Sequence, residues 1–357
     1  MPTTQEETLT LSRATASAAY ETMAPDELDA AYDNGKHCRS MLGAWKTKWQ
    51  GQASQVERDS APPEMLDMKY GQGGESERID FLPAISTAEN GTPAAAAPTL
   101  LYIHGGYWHM DNPKEKNSFI GGALRRVGVN VALVEYGGLP RPEPAPIGEQ
   151  CTQVLTAIEY VSSALASGRL PGDPSRLVVA GHSAGGHLAS VAALHPRTRA
   201  KLSGALCISM ISDLEALRRH SYFNLSLTAA GRRLIEPEDV TAWSPLALIP
   251  SDGPPSARVA AAAAAAEDSA QRLPRIVAAV GGDELPELRR QAAGFHAACA
   301  RHGHAERVTL LVVEGTTHFD VLDGLAEGAG AGHGEGGGGG AQLFAAACDL
   351  LGVSPRG

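Results

Sequence analysis

The stretch "VAGHSAGGHLA", residues 179 to 189, decides the fold, because it places Ser183 between two glycines that lie two positions before and after it. An apolar run precedes it and a helical segment is expected from Gly186 to about Ala193, so the context of the stretch is a buried strand, a tight turn and a helix. Such a turn has room only for small neighbours, and it pushes the serine hydroxyl out at the end of the strand. The pattern predicts that Ser183 is a nucleophile. The alternative is a glycine-rich turn that contains a serine by chance.

Other apolar runs predict a sheet around this turn. They cover residues 78–83, 99–106, 130–136, 176–183, 204–210, 275–282 and 307–315. Several are continuously apolar, which is typical of parallel strands that are covered on both faces. Two amphipathic stripes indicate helices between them, formed by Cys151, Leu155, Ile158, Val161 and Leu165, and by Leu285, Leu288, Ala292, Phe295 and Cys299. The alternation predicts an α/β fold class, a mostly parallel doubly wound sheet with helices on both faces and its active site at the carboxyl ends of the strands.

The chain divides by composition into two parts. Residues 1–67 are polar and helical in pattern, and we expect a helical extension or cap there. Residues 68–357 carry the α/β pattern. An alanine-rich run near 256–271 and a glycine-rich run near 324–342 are expected to be surface insertions in this second part.

Charge and cysteine content exclude several classes of protein. The 357 residues carry a formal net charge of −10 and no block of lysine or arginine, which argues against a nucleic-acid partner. The five cysteines include no CxxC pair, so we expect free thiols and no zinc site. The sequence has no H-E-x-x-H motif and no clustered His/Asp spacing, so we expect neither a metal nor a cofactor. No window is apolar enough to span a membrane, and no signal peptide is visible. We expect a cytoplasmic protein, and Glu6, Glu7 and Glu21 count against an organelle transit peptide.

A serine nucleophile needs a general base, which in this fold follows it in the chain after an acidic residue. His318 stands in "LLVVEGTTHFD", just after the last predicted strand, and is chosen as that base. His187 lies one turn into the helix after Ser183, where a helix residue is the simpler interpretation. His296 lies within an amphipathic helix, and His302 and His304 lie at its end.

Three carboxylates compete for the role of the acid. Asp283, in "AAVGGDELPE", stands just past the end of the strand before His318 and is the first choice. Asp213 follows an earlier strand and comes next. Glu284 comes last, because an acidic residue at the start of a helix has a sufficient structural reason.

Backbone N–H groups are needed to stabilise the oxyanion that forms when the serine attacks. The segment "YIHGGYWHMDN" supplies Gly105 and Gly106 at the end of a strand, and Ala184 supplies a companion amide. Tyr107 and Trp108 would lie beside this oxyanion hole, where they line a pocket or pack.

The segments "HGGYW", "GHSAGGHLA", "VGGDELPE" and "HFDVL", in this order, make the chain resemble the α/β-hydrolase-type kynurenine formamidases (arylformamidases), relatives of the hormone-sensitive-lipase-like esterases. The resemblance covers residues 68–323 and a closing helix near 341–351. The resemblance implies the α/β-hydrolase fold, and it implies the triad and oxyanion donors already chosen. The two insertions depart from the family, as does "EYGGLPRPEPAP", which stands where esterase relatives carry a different element.

The resemblance implies hydrolysis of N-formyl-L-kynurenine, or a related aryl formamide, to kynurenine and formate through a formyl-enzyme. Tyr107, Trp108, Tyr222 and Phe223 are expected to line the aryl side of the cleft. The alternatives are a carboxylesterase acting on short acyl esters and a non-catalytic receptor for a small aromatic ligand. The partner is then a small molecule, with neither nucleic acid nor membrane involved, and a homodimer is left open.

Overall fold

The described part of the chain in the computed structural model comprises residues 23–34, 37, 47–73, 76–85, 96–109, 112–137, 145–219, 233–250, 272–328 and 339–355. Two of the residues expected to line the aryl cleft, Tyr222 and Phe223, lie outside these ranges, as does the alanine-rich run. The glycine-rich run is described at both ends, and both ends are helical.

A single eight-stranded sheet forms the centre of the described structure. Its strands are β1 Met68–Lys69, β2 Arg78–Leu82, β3 Thr99–Ile103, β4 Asn130–Val134, β5 Leu177–His182, β6 Gly204–Ile208, β7 Arg275–Gly281 and β8 Val308–Val313. Their order across the sheet is β1-β2-β4-β3-β5-β6-β7-β8. Strands β1 and β2 pair antiparallel, and β2 pairs antiparallel with β4, while all other pairs are parallel. The predicted fold class is confirmed.

Eleven α-helices are assigned within the described residues. They are α1 Pro25–Ala31, α2 Thr47–Asp59, α3 Gly121–Arg126, α4 Ile147–Ala166, α5 Ala184–Leu194, α6 Leu214–Arg219, α7 Pro237–Trp243, α8 Pro245–Leu248, α9 Pro286–Arg301, α10 Asp323–Glu327 and α11 Gly339–Leu351. The two amphipathic stripes lie on α4 and α9, apart from Leu285 just before α9, and their residues are buried as their periodicity predicts. In the part of the chain that is described, no helix combines the length and the apolar character needed to cross a membrane.

The core consists of two layers, one on each face of the sheet. Leu101 and Ile103 of β3 belong to the layer that contains α4, α5 and α9, whereas Leu100 and Tyr102 belong to the layer that contains α3, α10 and α11. Neighbouring residues of a strand point to opposite faces, so a strand buried on both sides must be apolar throughout. This explains the continuous apolar runs of the sequence. It also leaves the carboxyl ends of β3, β5, β6, β7 and β8 at one shared edge.

Candidate active site

Ser183 lies at the turn between β5 and α5, in a backbone conformation that residues other than glycine rarely adopt. Its φ is 56° and its ψ is −119°, and the residue is 8% exposed. Its N–H donates to the carbonyl of Ile208 at 2.9 Å, which ties the turn to the neighbouring strand β6. The strain of this turn holds the hydroxyl at the carboxyl edge of the sheet.

The glycines around Ser183 are required by close backbone contacts. A Cβ at Gly181 would lie 2.1 Å from the carbonyl oxygen of Gly185, and a Cβ at Gly185 would lie 2.1 Å from that of Ile103. Both distances are far inside van der Waals contact, and the clashing atoms belong to the backbone. The pattern of small residues in the sequence thus follows from the approach of α5 to β3.

We expect Gly185→Ala to lower the free energy of unfolding by roughly 3 kcal/mol or more, because neither backbone segment can move aside. Gly294→Ala is the matched control: nothing lies within 4 Å of its Cβ position on α9, and alanine there should stabilise by about 0.5–1 kcal/mol. Urea unfolding of both variants checks this. A Gly185→Ala protein as stable as the unmodified chain would contradict the close packing at this turn.

His318 contacts both Ser183 and a carboxylate. Its Nε2 lies 3.1 Å from Ser183 Oγ, and its Nδ1 lies 2.9 Å from Glu284 Oε2. Because a carboxylate only accepts hydrogen bonds, Nδ1 carries the proton, and Nε2 of the neutral ring accepts from the serine hydroxyl. The side chains of His318 and Glu284 are 3% and 0% exposed, so this line of contacts is shielded from water.

The carboxylate beside His318 is Glu284, which corrects the choice of Asp283 made from the sequence. Asp283 is exposed and makes contacts through its backbone: its N–H donates to the carbonyl of Thr316 at 2.9 Å, and its carbonyl lies 2.9 Å from His37 Nε2. Asp213 does not reach the histidine either. Its Oδ1 accepts from the N–H of Glu215 at 3.0 Å, as a cap at the start of α6.

The turn after β7 explains why the later of the two acidic residues points inward. The N–H of Glu284 donates to the carbonyl of Gly281 at 3.3 Å, and its side chain folds back so that Oε1 accepts from the N–H of Gly281 at 2.8 Å. A Cβ at Gly281 would lie 3.1 Å from Oε1, so the glycine leaves the carboxylate its space. Glutamate rather than aspartate spans the distance from this turn to His318. In the sequence, the two adjacent glycines before Asp283 and Glu284 indicate a tight turn after the strand. They do not indicate which of the two carboxylates points toward His318.

His182 holds the loop that carries His318. Its Nε2 donates to the carbonyl of His318 at 2.7 Å, and the two rings lie 4.6 Å apart between centroids. Burial, with a smaller contribution from the nearby His318, lowers the pKa of His182 well below its ordinary value. A neutral His182 keeps its Nε2 proton for this bond. The histidine before the nucleophile therefore connects two loops and is not the base.

The loop after β3 places Gly105 against the serine. A Cβ at Gly105 would lie 2.9 Å from the carbonyl of His182 and 3.3 Å from the Cβ of Ser183. The carbonyl of Gly105 accepts from Asn112 Nδ2 at 3.1 Å and lies 2.9 Å from His104 Nδ1. Because the C=O and N–H of one trans peptide unit point in opposite directions, this anchoring fixes the direction of the Gly106 N–H. Ala184 is the first residue of α5, where an N–H has no carbonyl within the helix to bond.

Trp108 packs in the core, which corrects its assignment to the substrate cleft. It is 3% exposed, its Nε1 donates to His187 Nδ1 at 3.3 Å, and its carbonyl accepts from Gln150 Nε2 at 2.9 Å. Gly106, Tyr107 and Trp108 all have positive φ values, of 121°, 49° and 62°. Such a strained run persists only when its neighbours hold it, and His187 and Gln150 do so.

His187 makes these contacts as a neutral ring. Its Nε2 donates to the carbonyl of Trp243 at 2.9 Å, which leaves Nδ1 free to accept from Trp108. Complete burial lowers the pKa of His187 to about 4. In the unfolded chain the ring has the ordinary pKa of about 6.5 and takes up a proton first as the pH falls.

Stability should therefore fall on acidification between pH 6.5 and 4, because the unfolded state binds the extra proton. The contribution of His187 is fully present above pH 6.5, and about 2 kcal/mol of it should be lost between pH 7 and pH 5. We expect a His187→Gln variant, whose amide can make both hydrogen bonds, to lose correspondingly less over this range. Urea unfolding at both pH values checks this, and equal losses in the two proteins would contradict it.

The N-terminal segment contacts the loops on two sides of the site. Tyr107, the half-buried neighbour of the glycine loop, donates its hydroxyl to the carbonyl of Tyr32 at 2.5 Å. The hydroxyl of Tyr32 in turn donates to Glu287 Oε1 on α9 at 2.8 Å. His37 contacts the carbonyl of Asp283, next to the carboxylate of the site. The segment thus links the loop after β3 to the loop after β7.

A cluster of three carboxylates surrounds the side chain of Lys114. Asp67, Asp80 and Glu115 lie close enough together to hold a metal ion, and they surround Lys114 Nζ at 2.6, 3.1 and 2.6 Å. Arg58 adds a second cation, with its Nε 3.0 Å from Asp80 Oδ2. These ion pairs, with the mostly buried lysine at their centre, give the cluster a structural role.

A serine at a strained strand-to-helix turn, with a histidine and a carboxylate behind it at the same edge of a mostly parallel sheet, is typical of hydrolases. A family model described as the alpha/beta hydrolase fold matches residues 100–321, which is more than half of the chain. The chain belongs to this family, and it is a hydrolase.

Individual relatives agree with this class. The kynurenine formamidase of Salmo salar is 26% identical over 269 residues, which cover 74% of this chain and 78% of that protein. The kynurenine formamidase of Danio rerio is 25% identical over 316 residues, which cover 86% of this chain and 94% of that protein. A solved structure from Silicibacter sp. superposes with a TM-score of 0.60 at 24% identity and covers 84% of this chain and 95% of that one, a likeness that shows the fold alone.

Proposed function

We propose that this hydrolase cleaves the formamide of N-formyl-L-kynurenine, or of a closely related aryl formamide, to give the aryl amine and formate. The observation that carries the substrate class is the similarity to two proteins named kynurenine formamidase along most of both chains. The contacts of Ser183, His318 and Glu284 support a covalent serine mechanism.

In the first half of the reaction, Ser183 attacks the formyl carbon. His318 Nε2, 3.1 Å from Oγ, takes the hydroxyl proton as the new C–O bond forms. The C–N bond of the tetrahedral intermediate then breaks, and His318 gives the same proton to the departing aniline nitrogen. The aryl amine leaves, and the formyl group stays on Ser183 as an ester.

In the second half, water replaces the amine. His318 takes a proton from the water, whose oxygen attacks the formyl ester. The C–O bond to Ser183 then breaks, the serine recovers its proton from His318, and formate leaves. Glu284 stays ionised throughout and stabilises the imidazolium that forms twice in the cycle.

The negative charge of both tetrahedral intermediates needs donors that are in place before the reaction. We assign this role to the amides of Gly105, Gly106 and Ala184. The anchored carbonyl of Gly105 supports the assignment, because it holds the adjacent N–H in one direction. Tyr107 stays a proposed wall of the aryl cleft beside this hole, and Trp108 is withdrawn from that role.

The test compares three substrates under the same conditions: N-formyl-L-kynurenine, N-acetyl-L-kynurenine and p-nitrophenyl acetate. We expect kcat/KM to be highest on the formyl compound, because a hydrogen on the carbonyl carbon lets the acyl side be tight, and the acetyl amide to be cleaved poorly or not at all. Ser183→Ala protein, purified in parallel, gives the background for each substrate.

An ester preference would support the second candidate, a carboxylesterase for short acyl groups. The same serine, histidine and carboxylate serve that reaction, since only the leaving group differs. Rapid cleavage of p-nitrophenyl acetate with no detectable release of kynurenine would refute the formamidase proposal. It would leave the serine mechanism standing.

A further inference from the structure

Ser209 is a buried serine with an unfavourable backbone conformation at the edge of the sheet where Ser183 lies. It directly follows β6, is fully buried, and has a φ of 50°. Its N–H donates to the carbonyl of Ala279 in β7 at 2.7 Å, which holds this conformation in place. A residue other than glycine at such a φ costs about 1 kcal/mol or more, so the surroundings must compensate for it.

The hydroxyl of Ser209 donates to Oε1 of Glu284. The same oxygen accepts from the N–H of Gly281 at 2.8 Å, and the other oxygen faces His318 Nδ1 at 2.9 Å. Three donors thus converge on one carboxylate whose side chain has no exposure to solvent. A buried ionised carboxylate is stable only when its oxygens are hydrogen-bonded, and bonds to a charged group are stronger than neutral ones.

We propose that Ser209 is a positioning residue for the reaction, which acts on His318 through Glu284. Its hydroxyl and the Gly281 amide hold Oε1, so the carboxylate cannot rotate, and Oε2 stays aimed at the histidine. The topology makes this contact available, because β6 and β7 are neighbours and their carboxyl ends lie side by side. The positive φ at Ser209 turns the chain at this place. The proposal rests on the proposed triad of Ser183, His318 and Glu284.

The test separates the hydroxyl from the backbone. Ser209→Gly removes the hydroxyl but suits the positive φ, so the relieved backbone offsets part of the stability lost with the hydrogen bond, and we expect its urea midpoint to lie above that of Ser209→Ala. Its kcat should nevertheless fall about 10- to 100-fold with little change in KM, the effect of losing one hydrogen bond to a charged group. Ser209→Ala should show the same fall in kcat. Its urea midpoint should also fall, because alanine keeps the unfavourable φ and lacks the hydroxyl.

Ser212→Ala is the matched control. Ser212 is also buried, and its hydroxyl donates to the backbone carbonyl of Gln291 at 2.9 Å and lies 2.8 Å from the side-chain oxygen of the same residue, away from Glu284. We expect this variant to keep its kcat within about threefold, even if it unfolds at a lower urea concentration.

A double-mutant cycle tests whether the effect of Ser209 on kcat depends on Glu284. In a Glu284→Ala background Ser209 has no carboxylate to hold, so adding Ser209→Gly should change kcat less than about threefold. Equal fold losses in both backgrounds, or a folded Ser209→Gly protein with unchanged kcat, would overturn the proposal and leave the triad intact. Full activity of the Glu284→Ala protein would instead refute the triad itself, and the positioning role with it.

Discussion

Replacing Glu284 with glutamine is expected to lower kcat about 10⁴-fold. Glutamine has nearly the same shape but no charge, so it cannot stabilise the imidazolium of His318. Its amide group can also turn its NH₂ toward Nδ1, which would favour the wrong tautomer of the ring. KM should change little, because the carboxylate lies behind the histidine and does not face the substrate. Steady-state kinetics on N-formyl-L-kynurenine check both values.

Two variants control for the neighbouring carboxylates. Asp283→Asn changes an exposed side chain and keeps the backbone bond to Thr316, so its kcat should stay within about threefold of the unmodified protein. Asp213→Asn keeps an oxygen that can cap α6, and a similarly small effect is expected. A loss at Asp283 that exceeds the loss at Glu284 would return the role of the acid to the aspartate.

The second large effect is expected at the nucleophile. Ser183→Ala should lower kcat by roughly 10⁵- to 10⁶-fold, because alanine cannot form the formyl ester and only oxyanion stabilisation remains. Folding should be little affected, since alanine at a φ of 56° is strained as much as serine is. The variant should also fail to accumulate a covalent formyl adduct, which intact-mass measurement after rapid quenching would show for the unmodified enzyme.

Ser190→Ala is a suitable comparison for this variant. Ser190 is buried on the same helix α5, and its hydroxyl donates to the carbonyl of His187 at 2.7 Å, within the helix itself. It should retain nearly full activity. An unchanged rate in Ser183→Ala would refute the assignment of the nucleophile, and with it the mechanism proposed here.

The parts of the site that could be predicted are those with a local signature. Ser183 stands in a turn that only small neighbours permit, and the same glycines that mark the turn in the sequence have no space for a Cβ in the structure. His318 follows an apolar strand on the correct side of the sheet, and the parallel order of the strands brings it to the serine. In both cases the deciding information is contained within about ten residues.

The parts that could not be predicted depend on the direction of a side chain or on contacts between distant segments. Asp283 and Glu284 are adjacent, and the hydrogen bonds of the turn after β7 decide which of them points inward. Trp108 follows the glycine loop, yet a strained backbone and His187 direct its ring into the core. Tyr32 reaches the site from a segment that is remote in the chain.

The sequence by itself determined the class of sheet, the order of its strands along the chain, the turn at Ser183 and the position of His318 after the last strand. Hydrophobic periodicity and glycine spacing suffice for these, because they express how each segment must be buried. Only the tertiary structure decided that Glu284 is the carboxylate beside His318, that Ser209 donates to it, and that the N-terminal segment contacts the loops around the site. Each of these depends on the reach and direction of a side chain across neighbouring strands, and no pattern within one segment records that geometry.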